Sequence, residues 1–224
     1  MRDIKLKKDN LILLSLLVLV IINAIARQDS VIAVISALCG ITYTFLAGKG
    51  RPICYLFGIT GSTFYCLLSF QNLLWGNLLL YALYYIPMQI IGYFQWNKNL
   101  KNNQKDIIKI FLPKKELAIL LAINFCLIII TYFILSHFKD AHPLLDSITT
   151  VVSIGGMYLT VRRAIEQWAF WMVVNLLSVI MWIEVLSNGV KVYSTVAMWL
   201  IYLMLAIYFY ITWHKEIKSY LDAK

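Results

Sequence analysis

The stretch Gln167-Trp168-Ala169-Phe170-Trp171-Met172-Val173-Val174-Asn175 opens an apolar segment that runs to about Ser187. At 3.6 residues per turn, Trp168, Trp171, Asn175, Ser178 and Trp182 fall on one stripe. Val173, Val174, Leu176, Leu177, Val179 and Ile180 cover the other faces and suit lipid or packing. A primary amide in hydrocarbon without a partner costs several kcal/mol, so the polar stripe has the profile of a wall facing a pocket. Two other readings use the same residues. Trp168 and Trp171 stand near a helix end, where indoles also anchor membrane interfaces, and Asn175 could serve only to join helices. Trp182 and Asn175 lie too deep for an interfacial belt.

The composition sets the class. Of 224 residues, 61% are apolar and only 14% charged, and the mean hydropathy is +0.76, whereas soluble domains are about 25% charged. A bilayer absorbs that much apolar sequence and a soluble core does not. The reading is an all-α, polytopic integral membrane protein. The net charge of +9 does not indicate nucleic acid as a partner, because the basic residues punctuate apolar segments instead of forming a patch. Cys39, Cys54, Cys66 and Cys126 all lie inside apolar segments without paired spacing, as small apolar residues do. His137, His142 and His214 sit apart at segment ends, so neither a metal nor another cofactor is expected.

The first region, 1–30, is a basic tail followed by the apolar run Leu11 to Ala26. It imitates a cleavable signal peptide, yet an extra membrane helix is the preferred reading. Seven further spans follow: Val31 to Ala47, Pro52 to Phe70, Leu73 to Trp96, Glu116 to Phe138, Asp146 to Val161, Trp168 to Ser187, and Thr195 to Trp213. With the amino terminus inside, seventeen Lys and Arg residues fall on the cytoplasmic side and only Arg27, Lys139 and Lys191 outside. The expectation is eight transmembrane helices with both termini cytoplasmic.

An internal repeat organises them. Tyr85, Ile90, Tyr93, Trp96 and Lys98 recur as Tyr202, Ile207, Tyr210, Trp213 and Lys215, at a constant offset of 117. Tyr43 and Tyr158 each precede a short basic loop, at an offset of 115. A first three-helix bundle (31–97), a basic cytoplasmic loop with a linker helix (98–140), a second bundle (141–214) and a cytoplasmic tail (215–224) make a 3+1+3 plan. Three spans reverse the chain and one restores its direction, so the bundles are expected as parallel repeats. Transporters with this plan hold substrate near the bilayer midplane between the halves.

A second stripe, Asn77, Tyr81, Tyr85, Gln89, Gly92 and Trp96, runs along the third helix of the first half. Pro87 inside it invites a kink. Tyr81 and Trp96 read equally well as interface anchors; Gln89 and Asn77 need partners. Thr149, Ser153, Gly156 and Thr160 share one face, with close helix packing the simpler account for Gly156 and Thr160. Thr60 and Thr63 can bond back to their own backbone. Glu184 is the carboxylate plainly inside a span, near its outer end, open to a cation or to hydration. Ala47-Gly48-Lys49-Gly50 lacks P-loop spacing, and no triad is placed, so an enzyme is not expected.

These residues resemble a known family. Trp168-x-x-Trp171-x-x-x-Asn175, together with Asn77-x-x-x-Tyr81 and Gln89-x-x-Gly92-x-x-x-Trp96, resembles the signature of the PnuC vitamin B3 transporters. The 3+1+3 plan is similar to that of the SWEET sugar transporters. The resemblance covers about Val31 to Trp213. It implies a bacterial inner-membrane carrier of nicotinamide riboside, working as a homotrimer by facilitated diffusion. It also implies trapping of the riboside by a cytoplasmic riboside kinase. The substrate's flat pyridinium would attract ring faces by roughly 0.5 to 2 kcal/mol each. Trp182, Trp171 and Tyr85 are expected around the ring, and Asn175 and Gln89 on the carboxamide and ribose. Trp168 and Thr149 are further contacts. Rival readings are a carrier of the same fold for a sugar, riboflavin or thiamine, and a receptor or scaffold that transports nothing.

Overall fold

The computed structural model describes residues 2–27, 31–71, 75–100, 106–139, 142–187 and 193–222. Among the described residues there are helices and short turns but no β-strand, only two isolated bridges. The chain divides into two compact units, Met1–Ile107 and Ile108–Lys224.

In the first unit, α1 (Arg2–Arg27) packs on α2 (Val31–Gly48), which packs on α3 (Cys54–Gln71). Then α4 (Trp75–Leu80), a π-helical turn (Tyr81–Tyr85) and α5 (Ile86–Lys98) follow without a break and pack on α3. The expected irregularity is therefore present, but not at Pro87. The i→i+5 geometry lies one turn earlier, where the Ile86 N–H donates to the Tyr81 carbonyl. Pro87 is exposed and sits in the first turn of α5, where a missing N–H costs little. In the second unit, α6 (Lys114–His137) packs on α7 (Pro143–Val161), α7 on α8 (Gln167–Ser187), and α8 on α9 (Tyr193–Asp222). Counting α4, the π turn and α5 as one rod gives eight helices among the described residues. By length and composition α6 and α7 are each able to cross a membrane. α9 runs beyond the apolar stretch ending at Trp213, by more than two turns.

Local chemistry sets the ends. Glu116 lies in the first turn of α6 and His137 in its last, each complementing the helix dipole. Pro143 and Asp146 open α7 in the same way. Its neighbour contact needs Gly155, because a Cβ there would come within 2.9 Å of the buried Asn124 on α6 and 2.7 Å of Phe170. Close packing is also what Gly156 allows, facing the Trp171 ring and the Phe170 Cβ.

The turns after α2 and α7 share one hydrogen-bond pattern, at a constant offset of 113 residues. The Gly50 N–H donates to the Ala47 carbonyl and the Arg51 N–H to Leu46; the Arg163 N–H donates to Thr160 and the Ala164 N–H to Leu159. Both are Schellman caps. The residue in the left-handed region is Gly50 in one (φ 73°) and Arg163 in the other (φ 62°). Each of their carbonyls then accepts an N–H from the segment after α5: Ile107 at Gly50 (2.9 Å) and Ile110 at Arg163 (3.1 Å). Residues 106–112 are thus hydrogen-bonded onto the turns, where a solvated basic loop is the sequence expectation.

Two glycine variants separate these effects. Gly50→Ala should lower stability by about 1 kcal/mol through left-handed strain. Gly92→Ala should cost about 1–3 kcal/mol through overpacking, because its Cβ would fall on the Tyr55 ring, 2.6 Å from Oη. Thermal melts in detergent check the order; equal losses would refute it.

Candidate functional site

In the first unit the Gln89 side chain is seated where the stripe along α5 meets α3. It is 4% exposed, and its Nε2 donates to Ser62 Oγ at 3.0 Å. Gly58 makes room, since a Cβ there would lie 3.1 Å from the Gln89 amide. Tyr85, one turn earlier, is buried and meets Tyr81 edge-on at 4.7 Å and Tyr84 at 5.6 Å. Tyr81 in turn meets Tyr65 of α3 at 4.4 Å. The π turn thus delivers a run of phenol rings next to an amide. Trp96 is fully buried and edge-on to Tyr55, so it is not an interface anchor. The side chain of Asn77 lies outside the described residues.

In the second unit the stripe on α8 turns inward as its spacing requires. Trp168 is 2% exposed and packs between Phe209 (5.4 Å) and Trp213 (5.6 Å, 83°) of α9. That burial removes the interfacial-belt reading for Trp168. Its Nε1–H is buried without a hydrogen-bond partner. Trp171 is half-buried, and its Nε1–H donates to Thr160 Oγ1 at 3.2 Å. The Thr160 hydroxyl in turn donates to the Gly156 carbonyl at 2.8 Å. Asn175 is 5% exposed, and Ser178 one turn on is likewise buried. Neither side chain takes part in a hydrogen bond among the described residues. Thr149 is half-buried and donates back to the Leu145 and Asp146 carbonyls. The side chain of Trp182 lies outside the described residues. Thr60 and Thr63 bond back to Leu56 and Ile59 and are exposed, as is Glu184.

The turn at the start of α8 is held by charge. The Leu112 N–H donates to both carboxylate oxygens of Glu166 at 3.1 Å. Burial pushes the Glu166 carboxyl up, opposed by the N–H groups of Glu166 and Leu112. Burial, and then the neighbouring Arg162, hold the Arg163 guanidinium below its ordinary range. Lys109 pairs with Glu216 at 2.6 Å. Periodicity along single helices does not reveal Ser62 as the partner of Gln89, Thr160 as that of Trp171, or the burial of Lys109. All three depend on a second element.

A tryptophan, an amide with no side-chain hydrogen bond among the described residues and a hydroxyl on one face can receive a flat ring and its polar substituents. The sequence model of the nicotinamide mononucleotide transporter family matches residues 30–215. The nicotinamide riboside transporter PnuC of Neisseria mucosa is 31% identical over 87% of this chain and 76% of its own length. That of Haemophilus influenzae is 28% identical over 87% and 84%, and that of Escherichia coli 25% over 74% and 80%. Among solved structures, the crystal structure of the vitamin B3 transporter PnuC matches with a TM-score of 0.80 at 30% identity, covering 94% of this chain and 92% of that one. With the family model spanning most of the sequence and these relatives covering most of their own length, the chain belongs to the nicotinamide mononucleotide transporter family, as a membrane transporter of the PnuC type.

Proposed function

We propose that this chain takes up nicotinamide riboside across a bacterial inner membrane, by facilitated diffusion with alternating access. The observation that carries the reading is the inward stripe on α8, where a nearly buried Asn175 amide has no partner among the described residues. Buried side-chain amides are ordinarily hydrogen-bonded. A carboxamide or ribose hydroxyl would satisfy it. Within the second unit Trp171 and Trp182 then supply ring faces for the pyridinium, with Trp168 and Thr149 at the margin; within the first, Tyr85 and Gln89 are a ring face and an amide of the same kinds. The naming of the curated relatives as riboside transporters supports the same substrate.

The family's description mentions the mononucleotide, and charge decides between the two. A phosphate carries about −1.5 to −2 charge at pH 7. No Lys or Arg occurs between Arg27 and Lys49, between Arg51 and Lys98, or between Arg163 and Lys191. Those helices offer a dianion no counter-charge, whereas their aromatic faces favour a cation. The same asymmetry makes phosphorylation by a cytoplasmic kinase a trap. The segments hold no chain of acidic residues to couple a proton gradient, which fits downhill movement. The matched Schellman turns support reading the units as halves of a 3+1+3 repeat like that of the SWEET transporters. The working assembly in the bilayer is a homotrimer, with eight spans per protomer and both termini cytoplasmic.

Proteoliposomes test this. Vesicles loaded with riboside kinase and ATP should accumulate labelled riboside well above the outside concentration, and empty vesicles should only equilibrate. Accumulation without kinase would refute facilitated diffusion. Asn175→Ala and Gln89→Ala should each raise the KM for riboside by about tenfold, the value of one hydrogen bond near 1.4 kcal/mol. Unchanged uptake kinetics in both would remove these residues from the site. Nicotinamide mononucleotide should not enter at all.

A further inference from the structure

Among the described residues Lys109 is the buried cation, with its side chain only 4% exposed. It lies at the start of the second unit, in a segment hydrogen-bonded to the turn between α7 and α8. The Ile110 N–H donates to the Arg163 carbonyl at 3.1 Å, and the Ile165 N–H to the Ile110 carbonyl at 3.0 Å. Arg163 Nη1 donates to the Ile108 carbonyl at 2.9 Å. Arg163 does this from the left-handed region, a conformation costing about 1 kcal/mol that the matching turn assigns to glycine. Held this way, Lys109 donates from Nζ to Glu216 Oε2 at 2.6 Å and lies 4.8 Å from the Trp213 ring.

Stability is a weak reason for such a pair, because burying the ammonium offsets much of its attraction to a part-exposed carboxylate. Packing gives a better one. Trp213 is fully buried and meets Trp168 edge-on at 5.6 Å. The Trp168 Nε1–H has no hydrogen-bond partner. Nothing polar therefore fixes that indole, and its orientation rests on the rings of Phe209 and Trp213. Whatever fixes Trp213 fixes Trp168, one turn from Trp171 on the stripe.

We propose that Lys109 is a positioning residue for the substrate: pinned by Glu216, it fixes the Trp213 ring, which sets Trp168 and with it the aromatic wall of α8. The proposal rests on the reading of that wall as the riboside site. Lys109 touches no substrate itself. It acts from outside the stripe, through one ring onto another.

Two readouts test it on the full-length protein. In proteoliposomes, Lys109→Met should raise the riboside KM about fivefold with Vmax within about twofold, and Lys109→Arg, whose guanidinium can both pair with Glu216 and lie on the indole, should restore KM to within about twofold. Without substrate, Lys109→Met should change the near-ultraviolet circular dichroism of the tryptophans, and that change should vanish in a Trp213→Phe background. Glu216→Gln should move both readouts in the same direction, and serves if Lys109→Met does not fold. An unchanged KM in Lys109→Met, no rescue by arginine, or an unaltered tryptophan spectrum would overturn the assignment. If wild-type vesicles took up no riboside, the functional reading would fail, and the spectra alone would still decide whether Lys109 orients the rings.

Discussion

A primary amide within an apolar helix must find a hydrogen-bond partner or remain near polar atoms it can reach. Gln89 meets that demand inside its own unit, through Ser62, with Gly58 clearing the space. Asn175, almost as deeply buried, has no side-chain hydrogen bond among the described residues. The difference is informative because both residues face similar costs. Asn175 is flanked by Trp171 one turn before and Ser178 one turn after. The indole of Trp171 is held by Thr160, so the ring one turn before Asn175 is already oriented. Preorganisation of this kind reduces the entropy lost on binding.

Small residues set where these side chains can be. Gly92 lets the Tyr55 ring press against the α5 backbone, and Gly155 does the same for Phe170 and Asn124. The two Schellman turns act at a different level. Each closes a helix and then offers a carbonyl to residues 107–110, so that the segment after α5 is shaped by main-chain bonds and not by its charges. This explains how a lysine in a strongly basic stretch comes to be buried. Its neighbours Ile107 and Leu112 are buried too, and Leu112 joins Leu159, Ala164 and Phe170 in one apolar cluster.

Much of this was legible in the sequence, for physical reasons. The helices show because apolar runs of bilayer length are punctuated by Lys and Arg. The stripe on α8 shows because a 3.6-residue period places Trp168, Asn175 and Ser178 on one face, and all three are buried. Features that depend on two elements were not legible. Positive-inside counting treats Lys109 as solvated, and nothing along α3 marks Ser62. Pro87 pointed to the correct rod and the wrong turn: proline disturbs the backbone before it, and here the disturbance takes the form of a wide turn in place of a bend. Trp96 was ambiguous because an indole near a helix end suits either water or a tight pocket.

The wide turn at Tyr81–Tyr85 has a consequence for how the helix surface is phased. One additional residue accommodated in a turn offsets all later side chains by about 100° around the axis. The faces of α4 and α5 therefore follow different registers, and a heptad drawn straight through both would put Gln89 on the wrong meridian. Loss of a single residue between Tyr81 and Tyr85 would leave the rod nearly the same length. It would close the wide turn into regular helix and leave the Gln89 amide facing Ser62.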